Sequence, residues 1–384
     1  MTISESIKRF FPEHMNQQMR EFFVSSAIFD FGAGMAAIFE PIYLWSVGWR
    51  LPSIIMFYMA AYAFYFLVAP LGASFARSRG YEHSIALSTP FLVLYYFSLF
   101  WVPHGQIFAV LAVMSFAAFR MFYWPGARSI MANYSTDDES GRTLSGLTAM
   151  SVGAAVLGPV VGGLIAQQFG FAVLFMVVSA VILLSNVPML MTSEKFVPHT
   201  LNYVDSYRRL LHPELRKSIV AHFGYGEEFI SDFILPIFFL SFVSSYVAVG
   251  AVATIGGVIA IVTIIIVGRM TDKHHRHPIM RAGVLMTALS WVVRIISMSP
   301  LGIVVCQALY RVSRLTSQVP FLTIANSKAR DYSVMKSSLL YEMSLVVGKI
   351  MTAGLTLVAL ALFPNNWAAI FILAAALTLF YGIF

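Results

Sequence analysis

The sequence predicts an all-α polytopic membrane protein with twelve transmembrane helices in two pseudo-symmetric six-helix halves. Of its 384 residues, 59% are hydrophobic and 11% are charged, whereas soluble domains carry about 25% charged residues. Several hydrophobic stretches exceed about 20 residues, which is the length that crosses a bilayer as a helix. A polar stretch at 193–217 separates six such stretches from six more.

Each of the twelve hydrophobic stretches is expected to form one transmembrane helix. In the first half they lie at 21–47, 52–75, 83–102, 106–131, 143–167 and 170–192. In the second half they lie at 218–243, 246–270, 278–298, 301–325, 337–362 and 366–384. The last stretch runs to Phe384, which leaves open a tail beyond it.

These stretches predict four regions along the chain. They are a cytoplasmic N-terminal segment at 1–20, a six-helix half at 21–192, a cytoplasmic linker at 193–217 and a second six-helix half at 218–384. The linker includes an amphipathic segment around Tyr203–Leu211. The first twenty residues have no long apolar core, so a cleaved signal peptide is not expected.

The basic residues predict the orientation in the membrane. Most of the 25 Lys and Arg residues lie in loops on one side, while the alternate loops contain Arg50. This positive-inside pattern predicts that both termini are cytoplasmic. The net charge of +7 therefore reflects topology and does not indicate a nucleic-acid partner. We expect a monomer in the cytoplasmic (inner) membrane of a bacterium.

Charged residues interrupt the first, fourth, seventh and tenth hydrophobic stretches. They are Asp30, Arg120, Glu227, Glu228, Asp232, Arg311 and Arg314. A charge near the middle of a bilayer costs roughly 2.5–3.5 kcal/mol, so such residues face protein or a water-filled cavity. Because these stretches are three apart, they predict one inward-facing helix in each group of three helices.

Asp30 is the first candidate for proton coupling or cation binding. It follows Glu21 by nine residues, or roughly 14 Å along a helix, which is near the middle of the membrane. A carboxylate among apolar groups holds a proton more readily than in water. A helix–helix hydrogen bond is the alternative role. Arg120 stays charged at physiological pH, so it is expected to tune a carboxylate, bind an anionic group or form a structural ion pair.

Glu227, Glu228 and Asp232 form the densest acidic group, with Arg311 and Arg314 as the expected counter-charges. A cation site, a proton relay and a structural network all fit this pattern. Three further charges are interpreted as mainly structural. They are Glu342 and Lys349, which share a helix face, and Arg294, which is expected to reach the outer membrane interface.

Internal similarity and three local motifs connect the two halves. Phe119-Arg120 matches Tyr310-Arg311, and a shift of 193 residues carries both Asn133 to Asn326 and Met150-Ser151 to Met343-Ser344. The loop after the eighth stretch reads GRMTDK at 268–273, whereas its first-half counterpart, GASFAR at 72–77, has Ala76 in place of the acidic residue. The fifth stretch reads GPVVGG at 158–163.

Over its whole length, this arrangement resembles the major facilitator superfamily, and in particular its proton-coupled drug and metabolite exporter branch. The resemblance implies roles in gating or conformational change for Gly72, Arg77, Gly158, Pro159, Gly162, Gly163, Gly268, Asp272 and Lys273. Arg120 matches the Arg of the family's fourth-helix motif, although Trp124 stands at its Gly position. Small residues of the eighth helix, such as Gly250 and Gly256, would pack against the fifth helix.

Aromatic residues surround the charged positions of helices one and four. They are Phe29, Phe119, Phe122, Tyr123 and Trp124. These rings would line a cavity for an amphipathic substrate, or they would pack in the core or against lipid.

The predicted function is secondary active transport by alternating access, in the specific form of proton-coupled efflux of a small amphipathic molecule. The chain lacks a GxxxxGK[ST] phosphate-binding loop, which disfavours ATP-driven transport, and no enzyme activity, cofactor or metal is expected. A proton symporter or a uniporter for a polar or zwitterionic nutrient is the alternative. A membrane sensor or partner protein without transport activity is an alternative of another class.

Overall fold

The computed structural model of the chain describes residues 17–134, 140–191, 202–213, 216–273, 276–297, 299–329, 334–364 and 366–383. Regular structure within these ranges is helical, as a backbone in lipid requires, because each polar group must be satisfied within its own helix. The expected cytoplasmic segment at 1–20 lies outside the described residues except at its end. In the described ranges the helices follow the twelve predicted spans in order, which confirms the predicted fold class.

The first half of the chain forms spans 1 to 6. Span 1 consists of α1 (Gln17–Ala37) and α2 (Phe39–Ser46), span 2 of α3 (Leu51–Arg79), span 3 of α4 (Tyr81–Trp101) and span 4 of α5 (Gln106–Tyr134). Spans 5 and 6 lie on α6 (Ser140–Met189), which is broken at Gly170. The φ angle of Gly170 is +83°, a conformation that glycine adopts without the steric cost of a Cβ. This break separates two spans that hydropathy alone distinguishes poorly.

The linker contributes one short helix to the described structure, α7 (Tyr203–Leu210). The Asn202 side chain accepts hydrogen bonds from the backbone N–H groups of Val204 (3.0 Å) and Asp205 (3.3 Å), which satisfies donors that the first turn leaves open. The hydroxyls of Tyr203 and Tyr207 both donate to the carbonyl of Leu67, each at 2.9 Å. The linker helix therefore lies against span 2, and we call this end of the bundle the linker side.

The second half of the chain forms spans 7 to 12. Span 7 consists of α8 (Arg216–Gly224), a 3₁₀ turn (Tyr225–Glu227), a π-helical segment (Ile230–Ile234) and α9 (Leu235–Leu240). The remaining spans are α10 (Tyr246–Lys273), α11 (Arg276–Val293), α12 (Pro300–Ala329), α13 (Val334–Leu362) and α14 (Trp367–Leu379). Span 7 is thus interrupted where hydropathy predicts one continuous helix. Such π segments occur often at functional sites, and this one lies beside the acidic group.

The surface of the bundle is that of an integral membrane protein. Seven helices of the described chain are long and apolar enough to cross a membrane. One of the seven, Gly153–Met189, contains both span 5 and span 6. Spans 7, 9 and 10 fall outside this group, and span 12 is a shorter apolar helix. Large aliphatic side chains point outwards along several helices, for example Leu183, Val262 and Leu355. Such a wide exposed apolar surface is compatible with lipid and not with water.

The two halves meet at a closely packed seam between spans 5 and 8. A Cβ atom at Gly250 would lie 2.2 Å from the carbonyl oxygen of Pro159, and one at Gly163 would lie 2.5 Å from that of Tyr246. Thr254 also donates a hydrogen bond to the Val156 carbonyl at 2.8 Å. Backbone approaches this close need glycine, as is common where membrane helices pack.

Candidate functional site

Glu227 lies at the centre of a buried cluster formed by spans 7, 9 and 10. Its carboxylate accepts hydrogen bonds from Trp291 Nε1 at 3.1 Å, from the Tyr310 hydroxyl at 3.1 and 3.2 Å, and from Arg314 Nη1 at 2.5 Å. The Glu227 side chain is 1% exposed. A buried carboxylate is stable only when donors fill its lone pairs, and here they come from three side chains. Glu227 is therefore held in one position.

Glu228 and Asp232 share a second cation, Lys349 of span 11. Lys349 Nζ lies 2.8 Å from Glu228 Oε2 and 3.4 Å from Asp232 Oδ2, while Arg314 Nη2 lies 3.0 Å from Glu228 Oε1. The Lys349 side chain is 4% exposed, but those of Glu228 and Asp232 are 27% and 43% exposed. We call Glu227, Glu228, Asp232, Arg314 and Lys349 the ion network.

The ion network reaches across the interface between the halves. Lys349 Nζ donates a hydrogen bond to the Tyr62 hydroxyl of span 2 at 3.2 Å. One helical turn further along span 2, the Tyr65 hydroxyl donates to Glu342 Oε2 at 3.2 Å. Span 11 therefore carries two charged residues that contact the first half directly.

An ion pair between the halves lies on the linker side of these contacts. The guanidinium of Arg128, on span 4, contacts the carboxylate of Glu342, on span 11. The same guanidinium lies 4.1 Å from the centre of the Tyr341 ring. The Glu342 side chain is 1% exposed, so the pair is shielded from water on one side and strengthened by the low dielectric. The pair therefore joins spans 4 and 11 across the two halves on the linker side.

Arg120 is held by aromatic rings instead of by a carboxylate. Its guanidinium carbon lies 5.0–5.5 Å from the centres of four rings, those of Tyr62, Tyr65, Phe116 and Trp124. Within the part of the chain that the structure describes, no carboxylate lies within 4 Å of it. Its Nε atom and the indole nitrogen of Trp124 are both buried without a hydrogen-bond partner.

The two predicted counter-charges of span 10 have different surroundings. Arg314 belongs to the ion network, whereas Arg311 packs against span 8, where a Cβ atom at Gly256 would lie 3.4 Å from Arg311 Cγ. The Nε atom of Arg311 is buried and has no hydrogen-bond partner. Among the described residues, Arg311 forms no ion pair with the acidic group.

Asp30 lies beside a stack of aromatic rings on spans 1 and 4. Phe29 stacks on Tyr123 with ring centres 4.4 Å apart and on Phe119 at 6.0 Å. Asp30 is half-buried and lies within electrostatic range of Tyr123.

The other aromatic candidates pack in two directions. Phe122 lies against Phe91 and Phe75, with ring centres 5.6 and 5.3 Å apart, and belongs to the core of the first half. Trp124 packs edge-on against Tyr123 and also against Arg120. Of these rings, Trp124 is the one that directly contacts an unpaired charge.

The glycines predicted to act in gating are packing positions of two kinds. A Cβ atom at Gly72 would lie 1.9 Å from the Met121 carbonyl, and those at Gly158 and Gly162 would meet the backbone of span 1 at 2.7 and 2.0 Å. These three pack helices within the first half. Gly163 and Pro159 instead form the seam with span 8. Arg77 is half-buried, while the side chains of Gly268, Asp272 and Lys273 lie outside the described residues.

Several residues of the site were not recognised as such in the sequence. The sequence predicts mainly structural roles for Lys349 and Glu342, and the structure shows that both contact the first half. Arg294 was expected to reach the membrane interface, but it is 1% exposed and donates to the Cys306 carbonyl at 3.3 Å. Glu40 is buried and accepts hydrogen bonds from Tyr95 (2.8 Å) and Tyr96 (3.2 Å). The available signal was the presence of each charge in an apolar stretch.

Similarity to known proteins was found in sequence and in structure. No family model matches the sequence. A Lactococcus lactis protein named "Multi-drug resistance efflux pump PmrA homolog" is 24% identical over 251 residues, which is 61% of this chain and 60% of that protein. The Bacillus subtilis "Uncharacterized MFS-type transporter YuxJ" is 28% identical over 118 residues, 30% of this chain and 29% of that protein. The matched regions thus span less than two thirds of either relative.

The fold of the chain is similar to a solved transporter structure. A crystal structure of a D-xylose-proton symporter matches 94% of this chain and 95% of its own, with a TM-score of 0.68 and 12% sequence identity. At this identity the likeness concerns the fold. This chain therefore has the fold of that transporter, and part of its sequence is similar to the two bacterial relatives.

Proposed function

We propose that the chain is a secondary transporter that works by alternating access and couples proton movement to the efflux of a small amphipathic molecule. In this proposal the halves at 21–192 and 218–384 move as units about a central site, and both termini lie in the cytoplasm. The protein works in the cytoplasmic membrane of a bacterium, as a monomer.

The observation that carries the proposal is the ion network and its contact with the opposite half. Charged groups are retained inside a membrane where they serve a binding or conformational role, since each is costly to insert. Lys349 joins two carboxylates of its own half to Tyr62 of the other half. A movement that separates the halves must therefore change the surroundings of Glu228 and Asp232.

The members of the ion network are suited to different roles. Glu227 is saturated by donors and almost inaccessible, so it anchors Arg314. Glu228 and Asp232 keep partly exposed side chains, so a proton or substrate can reach them. Asp30 remains our first candidate for proton coupling, because it is a half-buried carboxylate that the sequence predicts to lie near the middle of the membrane.

Efflux is proposed on two grounds. The fifth span carries the GPVVGG sequence at 158–163 that resembles the exporter motif, and its Pro159 packs against Gly250 at the seam between the halves. The Lactococcus lactis relative is named as a homologue of a multidrug efflux pump. Neither ground names a substrate.

Reconstituted vesicles with an imposed pH gradient test the proposal. Purified protein is inserted into liposomes, and the flux of a panel of amphipathic compounds is followed together with the internal pH. Coupled efflux predicts that protons and substrate cross the membrane in opposite directions, so that substrate flux dissipates the imposed pH gradient. Co-directional movement would indicate a symporter, gradient-independent flux a uniporter, and absence of flux across the panel would contradict transport.

Asp30→Asn is expected to abolish gradient-driven flux while substrate binding is retained. The amide keeps the shape of the side chain but cannot release a proton. Asp205→Asn, an exposed position of the linker helix, serves as the matched control and should transport normally. Normal coupling in Asp30→Asn would show that another carboxylate carries the proton.

A further inference from the structure

The charges of the central site are unequally matched. Each carboxylate of the ion network lies within 4 Å of Arg314 or Lys349, and Glu342 contacts Arg128. Among the described residues, Arg120 and Arg311 have no such partner. The site thus contains carboxylates that are already neutralised by cations, together with two arginines that are not neutralised by any carboxylate within ion-pair distance.

Arg120 presents hydrogen-bond donors without acceptors. A guanidinium has five N–H donors and no acceptor, and none of them meets an acceptor within the described part of the chain. The four surrounding rings offer their faces, which stabilise a cation without accepting conventional hydrogen bonds. The buried indole nitrogen of Trp124 is a further unpartnered donor beside it. Arg120 and Trp124 thus offer hydrogen-bond donors, and a ligand that carries hydrogen-bond acceptors would complement them.

Arg311 repeats this situation in the second half. It occupies the position that the internal similarity aligns with Arg120, and its Nε atom is likewise buried without a partner. Its aliphatic chain packs against Gly256, where an added Cβ atom would lie 3.4 Å from Arg311 Cγ. Asp232 lies within electrostatic range of Arg311, but it forms its ion pair with Lys349 at 3.4 Å. One unpaired arginine therefore comes from each half.

We infer that the site binds a small organic anion, with Arg120 and Arg311 receiving its anionic group. This inference rests on the proposed transport function and adds the charge of the substrate. Arginine pairs with carboxylate, phosphate or sulfonate through parallel N–H···O bonds, and the rings around Arg120 supply an apolar wall for the rest of the molecule. An organic cation would instead have to compete with Lys349 and Arg314 for Glu228 and Asp232.

Binding to the purified full-length chain in detergent tests this inference without any gradient. The probes are 2-naphthoate, the neutral 2-naphthamide and the cationic 2-naphthylmethylammonium, which share one ring system and differ in charge. Calorimetric titration should give a Kd for 2-naphthoate at least about tenfold below those of the other two probes. A tenfold difference in Kd corresponds to about 1.4 kcal/mol, which one additional ionic interaction with an arginine can supply. Equal or tighter binding of the cation overturns the inference, as does the absence of 2-naphthoate binding.

Variants assign the preference to the two arginines. Arg120→Gln and Arg311→Gln should each weaken 2-naphthoate binding by about tenfold or more and leave 2-naphthamide binding unchanged. Arg50→Gln, at an exposed loop position, should bind all three probes as the unmodified chain does. Unchanged 2-naphthoate affinity in both site variants overturns the inference. If Arg120→Gln does not fold, the inference is tested by 2-naphthoate binding to Arg311→Gln and by the charge preference of the unmodified chain.

The outcome is independent of the transport assay. Selective binding of 2-naphthoate together with an absence of gradient-driven flux would contradict the proposed coupling and leave the anion site standing. Coupled flux of cationic compounds together with unselective binding would support the transport proposal and remove the anion site.

Discussion

Lys349 offers the sharpest test of the ion network, because one substitution removes a cation shared by two carboxylates and a hydroxyl. Its Nζ atom contacts Glu228 at 2.8 Å, Asp232 at 3.4 Å and Tyr62 at 3.2 Å. Lys349→Met keeps most of the length of the side chain and removes its charge. We expect a marked loss of stability, since the two carboxylates would remain in the protein interior with one cation fewer.

The size of the loss follows from what remains after the substitution. Removing one partner of a buried ion pair costs about 3–5 kcal/mol, because the other charge is left uncompensated. Arg314 continues to bond Glu228 at 3.0 Å, and Asp232 is exposed enough to be hydrated. These two observations favour a value below that range, and we expect the free energy of unfolding to fall by about 2–3 kcal/mol.

Unfolding in detergent micelles measures the loss and its origin. A double-mutant cycle with Lys349→Met and Glu228→Gln isolates the interaction between the two side chains, and a coupling of about 1–2 kcal/mol is expected for residues in contact. Lys336→Met is the matched control, because Lys336 lies on the same helix and has no ion pair among the described residues. Its effect should stay within about 0.5 kcal/mol, as is usual away from such contacts.

Two results would refute this account of Lys349. One is a loss in Lys349→Met no larger than that in Lys336→Met, since the contacts would then contribute no net stability. The other is strict additivity of Lys349→Met and Glu228→Gln, which would mean that their ion pair has no energetic weight. A general loss of packing would lower stability but would not produce the coupling.

Three further substitutions test packing, the ion pair between spans 4 and 11, and the linker helix. Gly250→Ala should destabilise the protein and slow flux, because its Cβ would lie 2.2 Å from a carbonyl of span 5, whereas Gly354→Ala, with no atom within 4 Å, should be tolerated. Glu342→Gln removes the charged partner of Arg128 and should speed hydrogen exchange at the linker-side ends of spans 4 and 11. Tyr207→Phe loses its hydrogen bonds to span 2, so trypsin should cleave the linker helix faster. Unchanged stability of Gly250→Ala, unchanged hydrogen exchange in Glu342→Gln or unchanged cleavage of Tyr207→Phe would contradict the respective prediction.

The number and order of the spans could be predicted because the bilayer imposes them. Its thickness sets the length of each apolar helix, and lipid excludes charges from most of the sequence. The irregular centre of span 7 could not be predicted in this way. The residues of Ile230–Ile234 have the same hydropathy in an α-helix as in a π-helix, and their conformation depends on the contacts of Glu227 and its neighbours with other spans.

The partners within the site were harder to predict than its helices. A charge inside an apolar stretch signals that it has a partner, and this was sufficient to single out Glu227, Glu228 and Arg314. It does not say which way each helix is rotated, and a nearly uniform apolar helix has no polar face to fix the rotation. Arg311 therefore could not be separated from Arg314, nor could Lys349 be recognised as the shared cation.

The placement of the charged contacts limits what a separation of the halves would cost. The bonds of Glu227 and Glu228 to Arg314 lie within the second half, between spans 7 and 10, and would survive such a movement. The charged contacts that cross between the halves, among the described residues, start from Lys349 and Glu342, which lie seven residues apart on one face of span 11. A shift of span 11 away from spans 2 and 4 would therefore break one ion pair and two tyrosine hydrogen bonds while the buried carboxylate cluster stayed intact. Apolar contacts between the halves, such as the stacked rings of Tyr58 and Phe233, with centres 3.8 Å apart, would add to this cost. Two states whose energies differ by a few kcal/mol lie in the range in which binding of a proton or a substrate shifts populations.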